Sequence, residues 1–288
     1  MKKQFVMGAA VAVVAALAAC SKSEIPREGD GDGGDFRNMK LFMSLGAVFG
    51  ASCNVIGDSG AVLVAGVLSN ADGSVDVGSV ETDEFPIVVI CRGGAYWDEA
   101  LGRNVPLDPD DTVSSLVPDV ATLDGLGGNV AVTPLTDLAA SLYQSLPAGD
   151  RDATSAAEAL DSILGAIAPD LAADGSALLT PPEVVNENDQ DIDGSDFAAE
   201  YAAYLAGLAG SANEQGQNAI EALRALRQDL LDDDNDLENS GTLLSRIVAR
   251  AQAFVQNNGA LLQRLSNDSS GDGVVDDPRG DTGIGGGT

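Results

Sequence analysis

The chain has 288 residues, 45 of them acidic against 15 basic, for a formal net charge of −30, and it contains no histidine. A surface of that sign repels phosphate backbones and anionic lipid headgroups, which removes nucleic acid from the expected partners. The lack of histidine also removes Ser-His-Asp and Cys-His catalysis and any histidine-containing zinc site.

Lys2 and Lys3 precede an apolar run from Phe5 to Ala19, which falls short of the roughly 20 residues a membrane-spanning helix needs. A positive start, a short apolar stretch and small residues at its end predict a secretory signal over residues 1–19. Leu17-Ala18-Ala19-Cys20 resembles the lipobox of bacterial lipoproteins. The resemblance implies diacylglyceryl transfer to the Cys20 thiol, cleavage before it, and an anchor in the cell envelope. Ser21, where an aspartate would retain such proteins at the inner membrane, implies the outer membrane, with the periplasmic or surface face left open. Each buried methylene contributes about 0.8 kcal/mol, so two or three acyl chains hold firmly where one is marginal.

Residues 20–40 are charged and glycine-rich, including Gly29-Asp30-Gly31-Asp32-Gly33-Gly34-Asp35; this composition buries no core and predicts a flexible tether. Over 41–133, short apolar runs broken by Gly, Asp, Asn and Pro predict strands at Ala47–Val55, Ala61–Leu68, Ser74–Val80, Pro86–Cys91, Thr112–Val117 and Asn129–Thr133. Strands this short at regular spacing predict an antiparallel β-sandwich, immunoglobulin-like or transthyretin-like. Cys53 and Cys91 remain once Cys20 is lipidated, and in an oxidising compartment two cysteines form one disulfide. Closing that loop restricts the unfolded chain by roughly 4 kcal/mol.

The period turns helical over 134–265. Thr133-Pro134 is a helix start with a hydroxyl cap and proline in the first turn, and Leu135, Leu138 and Leu142 share a face. A second helix follows Asp152 with Leu160, Ile163, Leu164 and Ile167 inward. A third carries Phe197, Tyr201, Tyr204, Leu205 and Leu208, and a fourth Ile220, Leu223, Leu226 and Leu230. The last runs from about Thr242 through Leu244, Ile247, Ala251, Phe254 and Val255 to Leu262. The expected fold class is therefore α+β: a β-sandwich followed by an α-helical bundle, with an acidic, glycine-rich tail over 266–288.

Two segments carry a further resemblance. Arg92-Gly93-Gly94-Ala95-Tyr96-Trp97-Asp98-Glu99-Ala100-Leu101-Gly102 and Val130-Ala131-Val132-Thr133-Pro134-Leu135-Thr136-Asp137-Leu138-Ala139 resemble a group of bacterial surface lipoproteins. In these an immunoglobulin-like or carboxypeptidase-regulatory-like sandwich leads into a V-T-P-L-T helical region. The helical region also has an aromatic and alanine-rich stretch like Tyr201-Ala202-Ala203-Tyr204-Leu205-Ala206-Gly207-Leu208. The resemblance implies architecture and carries no catalytic residues. Tyr96, Asp98 and Thr133 are expected to mark a strand turn and a domain junction.

Calcium is the one cofactor hinted at. Asp268, Ser270, Asp272 and Asp276 stand in a tail that resembles a thrombospondin type 3 repeat loop, where alternate oxygens and a glycine turn wrap a hard cation. Asp189, Asp191, Asp193 and Glu200 match EF-hand spacing, against the competing reading of Asp196 as a helix cap. No nucleophile pattern or outstanding carboxylate pair predicts an enzyme. The expected function is a non-catalytic envelope lipoprotein, held on a membrane through Cys20, that presents a binding or adhesion module to a protein or glycan ligand. The alternative is a periplasm-facing assembly lipoprotein that holds a protein partner through its helices. An exposed sandwich edge or loop cluster would favour the first; an exposed apolar groove between the helices would favour the second.

Overall fold

The computed structural model describes residues 35–98, 100–167, 174–183, 192, 194, 196–232, 241–260, 262 and 265. The expected signal, Cys20, most of the tether and the 266–288 tail lie outside the described residues, as do Asp189, Asp191 and Asp193.

The tether ends earlier than its composition predicts, because β1 (Phe36–Met43) begins inside it. Met39, Leu41 and Met43 alternate inward with Lys40 exposed, the period of a strand with one buried face. The following strands are β2 (Val48–Phe49), β3 (Ser52–Ile56), β4 (Val62–Leu68), β5 (Ser74–Glu81) and β6 (Ile87–Arg92). After them come β7 (Ala95–Asp98), β8 (Arg103–Pro106), β9 (Thr112–Val117) and β10 (Asn129–Val132), with the short helix α1 (Val120–Gly125) before β10. They form three sheets in the orders β10-β1-β5, β2-β7-β8 and β4-β3-β6-β9. Pairing is antiparallel except between β1 and β10, which run parallel. The first and third sheets meet along their edges, β5 beside β4 and β10 beside β9, and they share one core.

The disulfide joins Cys53 to Cys91. It ties neighbouring strands of one sheet, since the two residues face each other across β3 and β6 with Cα atoms 4.0 Å apart. Met43 of β1 brings its sulfur within 3.7 Å of Cys53 Sγ, so the bond lies on the inner face, against the first sheet.

Five longer helices follow: α2 (Pro134–Ser145), α3 (Ala153–Ile167), α4 (Phe197–Glu214), α5 (Ala219–Leu230) and α6 (Gly241–Phe254). The change at residue 134 is one of secondary structure and does not break the core. A single cluster of buried side chains runs from Leu41 and Val89 through Leu138 and Leu160 to Leu223 and Ile247. No helix among the described residues is long and apolar enough to cross a membrane.

α4 buries more than the face that carries Tyr201, Tyr204, Leu205 and Leu208. Every residue from Ala199 to Ala209 is buried, Glu200 included, as expected of a helix that is apolar all round. Its small residues let α6 approach closely. A Cβ on Gly207 would overlap Ile247 O and stand 2.9 Å from Ala251 N on the α6 backbone.

That contact yields a prediction whose sign discriminates. Helix propensity alone makes Gly207→Ala stabilising by about 1 kcal/mol, whereas overpacking costs about 1–3 kcal/mol. We expect packing to win and the variant to unfold at lower urea than the wild-type chain; an unchanged or higher midpoint would show that the two backbones do not meet there.

Candidate functional site

Both segments that resemble surface lipoproteins lie where the sheets meet the helices. Thr133 caps α2 and forms a reciprocal capping box with Thr136. The Thr133 hydroxyl also shares a hydrogen bond of 2.5 Å with the Tyr201 hydroxyl on α4, and Thr136 Oγ1 donates to Ser114 O on β9 at 2.9 Å. One residue on, Asp137 Oδ1 accepts from Ser114 N at 2.8 Å. Its Oδ2 accepts from Arg227 Nε at 3.0 Å and from Nη2 at 2.5 Å. Arg227 lies on α5 and its Nη2 also donates to Thr112 O of β9 at 3.1 Å. One short stretch of α2 thus binds a strand and two other helices.

The first resembling segment makes a second tie. Asp98 is buried and accepts from Leu101 N at 2.9 Å in the β7–β8 turn, and from Tyr96 OH at 3.1 Å. Tyr96 OH in turn accepts from Ala219 N, the first residue of α5, at 3.3 Å. Gly94, in the turn that leads into β7, has φ +86°, and a Cβ there would come within 2.5 Å of Phe49 O on β2. Tyr96, Asp98 and Thr133 therefore sit at a strand turn and at the junction of sheet and helix.

Burial pushes the Asp137 carboxyl above the usual carboxylate range, against the opposing pull of Arg227 and of the Ser114 backbone. A carboxyl whose folded pKa is raised contributes stability below its unfolded pKa and loses it as pH rises through the folded value. The Tyr201 hydroxyl is likewise pushed up by burial.

Of the residues with calcium-loop spacing, Glu200 alone lies among the described residues, with Asp196 of the competing reading near it. Asp196 Oδ1 accepts from Ala199 N at 3.2 Å and caps α4. Glu200 is buried in the first turn of that helix. Gly194 N donates to Glu183 Oε2 at 3.2 Å, and Asn258 Nδ2 donates to Ile192 O at 3.0 Å and to Gly194 O at 2.8 Å. These bonds fasten Ile192 and Gly194 to Glu183 and to Asn258, which follows α6. Among the described residues no group of three or more His, Cys, Asp or Glu side chains gathers.

A feature with room for a ligand beside an exposed apolar face is one that sequence reading did not single out. The four-stranded sheet has two faces, and its inner one carries the disulfide. On the outer face α2 packs over β9, where Leu116 and Ser114 are buried. The remaining strands expose that face beside α2, where a cavity of about 340 Å³ is walled by Ile56, Pro86, Val88 and Ile90 and flanked by Tyr143, Gln144, Arg151 and Asp58. Register continues the aliphatic row across the sheet, Val88 opposite Ile56 and Ile56 opposite Val62. Val62 is 58% exposed and Leu68, further along β4, is 62% exposed. The Tyr143 hydroxyl has no hydrogen-bond partner among the described residues, although the residue is 3% exposed. Desolvation and the nearby Asp58 and Asp152 charges push it up to about 12, Arg151 working against them. Arg151 itself fastens the end of α2, through Nε to Leu146 O at 3.0 Å and Nη2 to Gln144 O at 2.5 Å.

Arg227→Met tests the buried junction. Removing one partner of a buried ion pair costs about 3 kcal/mol because the other charge is left unpaired. The expected loss is largest near neutral pH and shrinks as acid protonates Asp137. Urea unfolding at neutral and acid pH checks this; an equal loss at both would show that Asp137 does not need the guanidinium.

No family model matches the chain, and no curated protein or solved structure shows significant similarity to it.

Proposed function

We propose that this chain is a lipid-anchored protein of a bacterial envelope, tethered at Cys20, which binds a partner through the sheet portion without catalysing a reaction. The observation that carries the binding part is the outer face of the four-stranded sheet, which α2 covers only at β9, leaving Val62 and Leu68 largely exposed. Exposed apolar surface that continues into a cavity is the usual mark of an interaction site. The anchor rests on Leu17-Ala18-Ala19-Cys20 behind its short apolar run. A Cys53–Cys91 disulfide in the core accords with an exported protein. Two packed sheets also support a sandwich-type module such as the surface-lipoprotein resemblance implies.

Presentation from the sheet is favoured over capture by the helices. The apolar faces of α2, α4 and α5 are used in packing with one another, with α3 and α6 and with β9, and α4 is enclosed along most of its length.

Metabolic labelling with palmitate tests the anchor. The chain should incorporate label and fractionate with membranes, and Cys20→Ser should lose both. Label retained by Cys20→Ser, or absent from the wild-type chain, would contradict the reading.

A further inference from the structure

The uncovered part of the sheet has the dimensions of one more helix. α2 lies over β9, and the exposed strands β6, β3 and β4 beside it span two inter-strand spacings, about 10 Å. A helix with its side chains is about 10–12 Å across, and neighbouring helices pack 8–10 Å apart. A second helix laid along α2 would therefore sit over Ile56, Val88 and Val62 with the cavity beneath it. The flank of α2 that such a helix would touch carries Tyr143, whose hydroxyl has no partner among the described residues. Tyr143 lines the open cavity, so its hydroxyl is placed to meet a group from outside the chain.

Charge selects the kind of helix. Asp58 borders the cavity, and Glu84 lies over the adjoining turn, where its carboxylate accepts from Ser59 Oγ at 2.7 Å and abuts Gly57. The one cation there, among the described residues lining the cavity, is Arg151, and two of its nitrogens already donate to carbonyls at the end of α2. With the whole chain at −30, a basic segment is attracted and an acidic one repelled.

We infer that this face docks an amphipathic helical segment of a partner protein, with aliphatic side chains over Ile56, Val88 and Val62 and lysines or arginines facing Asp58 and Glu84. The inference rests on the binding function proposed above and names its partner class. An aliphatic stripe at helical spacing supplies anchors for an apolar groove, while the acidic rim sets orientation and excludes acidic competitors.

The test is fluorescence anisotropy of a fluorescein-labelled amphipathic leucine–lysine peptide with the full mature chain in detergent. Salt is held at about 0.15 M, where the Debye length of about 8 Å screens distant charge. A leucine–glutamate peptide of the same pattern and octanoate serve as competitors. We expect the lysine peptide to bind, the glutamate peptide not to bind, and octanoate not to displace the lysine peptide. Val62→Ser, on an exposed side chain, and Asp58→Asn should each weaken binding by about tenfold, as expected for anchor positions. Tyr143→Phe, which keeps the ring in the core, should weaken it severalfold. Equal binding by the wild-type chain and all three variants would overturn the inference, showing charge attraction elsewhere. Failure to bind the lysine peptide, or displacement of it by octanoate, would overturn it as well. Palmitate labelling separates the two levels: a labelled Cys20 with no peptide binding refutes the docking site alone, whereas peptide binding without labelling refutes the anchor alone.

Discussion

The carboxylate of Asp137 holds together elements that the chain visits far apart. It lies in the first turn of α2, almost wholly buried, and binds a backbone amide of β9 and the guanidinium of α5. A charge in that position is tolerated only with its lone pairs occupied, so β9, α2 and α5 must arrive in one arrangement or leave it unpaired. Thr136 and Thr133 on either side extend the same requirement to the Ser114 carbonyl and to Tyr201 on α4. Apolar packing alone would tolerate several placements of a helical layer on a sheet; these directional bonds select one.

That selection explains why the outer sheet face is half covered. With α2 fixed over β9 by its first turn, its far end flanks the cavity with Tyr143 and Gln144, and Arg151 fastens the last carbonyls where the chain turns toward α3. Ile56, Val88 and Val62 are left on the open side. The inner face is full, holding the disulfide against Met43. The same strands thus serve the core on one side and offer an apolar surface on the other.

Much of this was legible in the sequence. The strands at Ala61–Leu68, Ser74–Val80, Pro86–Cys91 and Thr112–Val117 appear within a residue or two, because β-branched runs end at Gly, Asp or Pro. The five long helices appear with their inward leucines for the same reason of period. β1 escapes notice because Arg37, Asn38 and Lys40 look like more of the charged stretch before them, although Met39, Leu41 and Met43 alternate beneath. β7 and β8 are too short to show a period. Arg227 did leave a signal. Ile220, Leu223 and Leu230 form an apolar stripe on α5, and Arg227 falls four residues after Leu223 on that stripe, where a cation requires a buried partner. Asp137 as that partner could not be read, since an acidic residue in a first turn is ordinary helix chemistry. The cavity was illegible for a different reason: which part of a sheet face α2 leaves bare depends on tertiary placement, not on local pattern.

The central claim is that sheet and helices form one cooperative structure joined at Asp137. It is tested most directly by unfolding the mature chain in urea while following two signals together. Trp97, the single tryptophan, lies in β7 and reports on the strands by fluorescence, and far-ultraviolet circular dichroism reports on the helices. The account predicts coincident transitions with one midpoint. Two separated transitions, helices melting while Trp97 keeps its native emission or the reverse, would contradict it.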